Sequence, residues 1–181
     1  MTTHPKFGSE VDVAKAAFIH PTAQLYGRVT IGEDSSIWPY AVIRSEMHEV
    51  VIGRCTNIQD FAMIHVGYEH AVIIGDYCSI THRETLHGCR IGDNVLVGIG
   101  ATVMDGCAIG NNSIIAGHSF LREGTIIPPN SIVAGTPAVV KRARDTSEEN
   151  RRYAILYHRN AIAYARGDHR AWSDMEAGDI R

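Results

Sequence analysis

The residues of this chain with the most chemistry to offer are three histidines close together in sequence, His65, His82 and His87. A neutral imidazole can bind a metal ion or carry a proton near neutral pH, and three of them around one ion leave a fourth position open. That is the donor set of a catalytic site, since structural sites close all four positions with protein ligands. The chain has 10 histidines in 181 residues, so residue type alone selects none. His4, His20, His48, His70, His158 and His169 fall in loops, near a terminus or on a helical stretch, and His118 falls further along the repeat; they receive no role. The 4 cysteines, Cys55, Cys78, Cys89 and Cys107, form no CxxC pair and read as free packing thiols.

The element that must position the three histidines is a repeat. Ile19, Leu25, Ile31, Ile37 and Ile43 recur at a spacing of six, followed by Ile52, Ile58 and Ile64 and then by Ile74, Ile80 and Leu86. After a five-residue step the run continues through Ile91, Val97, Val103, Ile109, Ile115, Leu121, Ile127, Val133 and Val139. Six is neither the period of a helix nor that of a two-sided strand. It suits a coil with three flat faces and about eighteen residues per turn. Small residues such as Ala23, Ser35, Ala41, Ala62 and Ala101 stand four places after an aliphatic one, and Gly32, Gly53, Gly75 and Gly92 directly follow one. Both features suit tight winding. The expected fold is all-β: a left-handed parallel β-helix of hexapeptide repeats, six to seven rungs over residues 19–140, after a lead-in over 1–18.

Stacking arithmetic then places the histidines. The step from Ile43 to Ile52 extrudes three residues and that from Ile64 to Ile74 extrudes four, within His65 to Ile73. With these removed, Ile43, Ile64 and Leu86 form one column, and Arg44, His65 and His87, which directly follow them, form an outward ladder. Ile58 and Ile80 stack in a second column, which puts Asp60 beside His82 and Gln59 beside Thr81. His82 is thus on a different face from His65 and His87. One chain cannot bring all three to one ion, but coils packed around a threefold axis can.

Beyond Val139 the pattern changes. Thr146 or Ser147 is an N-cap candidate, Glu148 and Glu149 fall in the first turn, Tyr153, Leu156, Tyr157, Asn160, Ala161 and Tyr164 share one stripe, and Gly167 is a stop. This predicts an amphipathic helix over 146–167, lying against the coil or a neighbouring subunit, and a polar tail over 168–181. The net charge of −3 offers no basic surface for nucleic acid or an anionic membrane. No apolar run has the length of a spanning helix or the form of a signal peptide, so the expectation is a cytoplasmic protein with a small-molecule substrate.

The segments Asn57-Ile58-Gln59-Asp60, Ile64-His65-Val66 and His82 to His87, followed by Gly88-Cys89-Arg90-Ile91-Gly92-Asp93, together resemble the γ-class carbonic anhydrase family of hexapeptide-repeat proteins. The closing Ala134-Gly135-Thr136-Pro137-Ala138 is shared with hexapeptide acyltransferases and discriminates nothing. The resemblance implies that His65, His82 and His87 hold Zn2+ at the interfaces of a homotrimer, with Fe2+ or Co2+ equally suited to three imidazoles and water. It implies reversible hydration of CO2 to bicarbonate by a metal-bound hydroxide, a lyase activity. It further implies that Gln59 hydrogen-bonds the bound water or bicarbonate, and that Arg44 pairs across the interface with Asp60.

The chain departs from the family pattern in places. Arg44-Ser45-Glu46 stands where Arg-Gly-Asp is usual, and Thr81-His82-Arg83-Glu84 where Gly-His and a small residue are usual. Glu84 falls at a small, inward position, and the five-residue step after Leu86 offers it a way outward. The loops after Arg44 and His65 lack an acidic insertion, leaving Glu69 and His70 as weak proton-shuttle stand-ins. Two other function classes fit a coil of this kind. One is a hexapeptide acyltransferase or acyl-CoA thioesterase, with a catalytic histidine and a CoA channel between coils. The other is a non-catalytic, metal-containing assembly module.

Overall fold

The structure is a computed structural model that describes residues 8–173. Its short strands follow the aliphatic repeat. One column runs Leu25, Ile43, Ile64, Leu86, Val103, Leu121, each residue paired in parallel with the next. A second runs Ile31, Ile52, Ile74, Ile91, Ile109, Ile127. A third runs Ile19, Ile37, Ile58, Ile80, Val97, Ile115, Val133. These are the three faces of a left-handed parallel β-helix of about 7 turns. Almost every column residue is buried in one continuous core, because a coil without a central gap has no other place for a branched side chain.

The corners explain the spacing. At one of them Asp34, Cys55, Tyr77, Asn94, Asn112 and Asn130 all have φ between 49° and 62°. Asn and Asp tolerate this left-handed conformation best. Here the amides also form a ladder, Asn94 donating to Asn112 Oδ1 at 3.0 Å and Asn112 donating to Asn130 Oδ1 at 3.1 Å. The extrusion predicted after Arg44 is an excursion within the strand Val42–Ile52, which turns the corner between two faces.

One expectation about the repeat is corrected, and the inward register of Glu84 holds. Val139 does not continue the inward column: the chain reverses at Thr136-Pro137, a cis bond, so that Ala138–Ala143 pairs antiparallel with Ser131–Gly135 and leaves Val139 half-exposed. Glu84 is not turned outward. Backbone bonds from Met63 N–H to Glu84 O and from Thr85 N–H to Ala101 O hold it between Ala62 and Ala101, inside the coil. It is 0% exposed and neither carboxyl oxygen has a hydrogen-bond partner. Burial in this apolar column raises its pKa well above the ordinary carboxylate value.

After the hairpin, the helix α1 spans Ser147–Ala165 and packs on the third face. Its seat is aromatic: Trp38 lies 5.5 Å from Tyr157 and 4.9 Å from Tyr164, ring centre to ring centre. Asn150 anchors its first turn by donating to the carbonyls of Asn94 and Ser113. The N-cap Thr146 makes no capping bond and donates instead to Asn112 O. Gly167, with φ of 84°, ends the helix. Of the expected stripe, Asn160 and Ala161 are buried, and Tyr153, Leu156, Tyr157 and Tyr164 are partly buried. Beyond Ser173 the expected polar tail lies outside the described residues, as does His4.

Candidate metal centre

The column alignment fixes what faces what. Arg44 pairs with His65 in register, and His65 pairs with His87. Each follows an inward aliphatic residue, so each points outward. His65 Nδ1 and His87 Nε2 stand 3.1 Å apart. Two nitrogens on a tetrahedral ion with bonds of 2.0–2.1 Å are separated by about 3.3 Å, so the pair is already spaced to share a metal.

Carboxylates hold these rings. Glu46 Oε2 lies 3.0 Å from His65 Nε2, and Asp105 Oδ2 lies 2.7 Å from His87 Nδ1. On the other face, Asp60 Oδ2 lies 3.1 Å from His82 Nδ1, with Asp60 O accepting from Arg83 N–H one rung along. An ionised carboxylate accepts only, so the nitrogen facing it carries the hydrogen and the opposite nitrogen keeps its lone pair. His82 and His87 are thus both held with Nε2 free, the arrangement in which carboxylates orient metal-binding imidazoles. Among the described residues of one chain, no three of His, Cys, Asp or Glu gather around a common point. His82 belongs to the third face and cannot reach the other two.

Arg44 Nη1 donates to Glu46 Oε1 within the chain. Partial loss of water raises the Glu46 pKa, but hydrogen bonds from its own backbone and His65, with the charge of Arg44, outweigh this and leave it below the ordinary value. Gln59 sits deeper than the sequence suggested. It is 2% exposed and its amide donates to Asn57 Oδ1 at 2.8 Å. Glu69 and His70 lie in the exposed loop after His65, and neither contacts the histidine row through a hydrogen bond. The cysteines are buried and free, and Cys78 has its thiol pKa pushed up to about 12 by burial.

Asp105 escaped the sequence reading. The alignment of Leu86 with Val103 puts it one rung from Gly88, but an aspartate two places after an inward valine carries no signature until the histidine beside it is seen.

Fold and site define a class, the hexapeptide-repeat proteins. A family described as bacterial transferase hexapeptide (six repeats) matches residues 88–123. A hexapeptide transferase family protein of Anaplasma phagocytophilum superimposes with a TM-score of 0.75 at 35% identity, over 89% of this chain and 92% of that one. A Methanocaldococcus jannaschii protein named as a probable carbonic anhydrase is 47% identical over 91 residues, 50% of this chain and 57% of that one. Mitochondrial γ carbonic anhydrase 1 of Arabidopsis thaliana is 43% identical over 99 residues, 51% of this chain and 36% of that one. The chain spans about half the length of the curated relatives it matches. It belongs to the hexapeptide-repeat proteins, and about half of it is similar in sequence to proteins named as carbonic anhydrases, one of them of the γ class.

Proposed function

We propose that this chain is a carbonic anhydrase-like enzyme that hydrates CO2 reversibly to bicarbonate at metal sites between the subunits of a homotrimer. The observation that carries the reading is the His65–His87 pair, outward-facing and 3.1 Å apart, with His82 oriented by Asp60 on a different face. In a threefold assembly, His65 and His87 of one subunit and His82 of the next would hold Zn2+, Fe2+ or Co2+. When bound, such an ion supplies the Lewis acidity that makes water nucleophilic near neutral pH.

The protein's own groups have separate tasks under this reading. Asp60 and Asp105 keep His82 and His87 turned with Nε2 outward. Gln59 uses one amide hydrogen on Asn57 and has a second to give to a substrate oxygen. Arg44 stands beside His65 and pairs with Glu46 of its own chain; in the threefold assembly it would also reach the neighbouring subunit's Asp60. No described helix is long and apolar enough to cross a membrane. A cytoplasmic location belongs to the same proposal.

Acyl transfer or acyl-CoA hydrolysis is the second reading, supported by the similarity to a hexapeptide transferase family protein. It has no use for a paired imidazole row flanked by carboxylates. The deciding experiment is metal analysis of protein purified without air or added metal, followed by stopped-flow CO2 hydration beside acyl-CoA hydrolysis. Bound metal with hydration supports the enzyme proposed; acyl-CoA turnover without either supports the alternative.

A further inference from the structure

We infer that Asp105 is a positioning residue for His87, and that Gly67 is a glycine because a side chain there would displace the Asp105 carboxylate. The consequence for metal binding rests on the function proposed above; the hold on the imidazole does not.

The backbone of Asp105 is pinned one rung from His87's neighbour. Gly106 N–H donates to Gly88 O at 2.8 Å, and Asp105 O accepts from Gly124 N–H at 2.8 Å. The side chain extends back across the corner, so that Oδ2 meets His87 Nδ1 at 2.7 Å, the shortest of the carboxylate contacts to the three histidines. Its other oxygen, Oδ1, occupies the space that a Cβ would take at Gly67 or at Gly88.

Gly88 has a second reason to be glycine, its φ of 51°. Gly67 has no such need, and the first atom a Cβ there would strike is Asp105 Oδ1. Gly67 lies in the loop extruded after His65, closed by its own N–H to His70 O at 2.8 Å. The loop therefore comes down over the carboxylate. One oxygen is walled in by two glycines, and the other meets the imidazole.

The effect is on which nitrogen is free. Asp105 obliges His87 Nδ1 to carry the hydrogen and leaves Nε2 bare, and Nε2 is the atom 3.1 Å from His65 Nδ1. Without the carboxylate, the ring loses both its rotation and its tautomer, a change that typically costs ten- to a hundredfold in metal affinity.

Asp105→Asn and Gly67→Ala separate this from a role in folding, since Gly67→Ala keeps Asp105 and every histidine. Long-range 15N–1H correlation spectra of the metal-free protein in alkaline buffer should show His87 as the Nδ1–H tautomer in the wild type and a shift toward Nε2–H in both variants. Titration with Co2+, read by its visible absorption, should weaken by about ten- to a hundredfold in each variant. Adding Asp105→Ala to Gly67→Ala should weaken it little further, because the first change has already removed the contact. An unchanged His87 tautomer together with wild-type Co2+ affinity in both variants would overturn the inference. A wild type that takes up no Co2+ would defeat the metal reading instead, and the tautomer spectra would still decide whether Asp105 holds His87.

Discussion

Asp60 and His82, 22 positions apart in sequence, meet across one rung with Oδ2 and Nδ1 at 3.1 Å. The backbone makes this meeting unavoidable, because Ile58 and Ile80 are in register and each polar residue stands two places beyond its aliphatic partner. Asp60→Ala should therefore lower Co2+ affinity about ten- to a hundredfold, through the loss of His82 orientation. The same change should weaken the proposed trimer if Arg44 of the neighbour also uses this carboxylate. Titration and sedimentation on one sample separate the two effects. Wild-type values in both would mean that Asp60 serves neither.

Replacing His65, His82 or His87 by Ala should remove metal while leaving the coil intact. All three rings are partly exposed and none belongs to the core columns. Far-UV circular dichroism should be unchanged and bound metal should fall below stoichiometry in each. Collapse of the β signal in the three variants would show that these rings pack rather than bind.

The columns were legible because only one kind of residue can fill them. Ile43, Ile64 and Leu86 could be stacked by counting, and the histidines beside them followed without any further assumption. What counting could not supply were decisions made by tertiary contacts. Val139 keeps the spacing of six, yet the strand containing it turns back along Ser131–Gly135. Trp38 follows an inward isoleucine and should face water, but α1 covers it with Tyr157 and Tyr164. Glu84 was placed correctly at an inward position by its register. The five-residue step after Leu86 left an outward turn open, and the backbone pairing of Met63 and Thr85 closes it.

Glu84 should make the coil sensitive to pH. Its folded pKa is raised well above the ordinary 4.5 by burial, so the folded state holds a proton that the unfolded chain releases. Its relative stabilising effect is complete below about pH 4.5, the ordinary value. As pH rises from there toward the folded value, stability falls by about 1.4 kcal/mol per unit. Glu84→Ala matches the alanines at 62 and 101 in the same column and removes two unpartnered oxygens. The variant should gain about 1–3 kcal/mol over the wild type near pH 8, and less near pH 5. Urea denaturation at both values measures it. A constant difference between variant and wild type would show that the carboxyl is not held neutral inside the coil.

Asn150 is the residue on which the seating of α1 should depend most. It is 1% exposed, and its side-chain nitrogen donates to Asn94 O at 2.9 Å, to Ser113 O at 3.2 Å and to Thr146 Oγ1 at 3.1 Å. The two carbonyls belong to successive rungs, so one amide ties the first turn of the helix to the coil at two levels. Asn150→Ala takes the side-chain donor from Asn94 O, while Ser113 O keeps the Leu96 N–H, a loss of about 1–3 kcal/mol. The loss should be local, because the columns beneath contain no residue of the helix. Hydrogen exchange should therefore quicken along Ser147–Ala165 before it quickens in the strands. Tyr157 gives a second reading of the same event. Burial, reinforced by the charge of Asp60, pushes its hydroxyl up to about 12, and release of the helix should return it toward its ordinary 10 in a spectrophotometric titration. An Asn150→Ala protein with wild-type exchange in the helix and an unshifted tyrosine titration would show that the aromatic seat around Trp38 holds α1 without it.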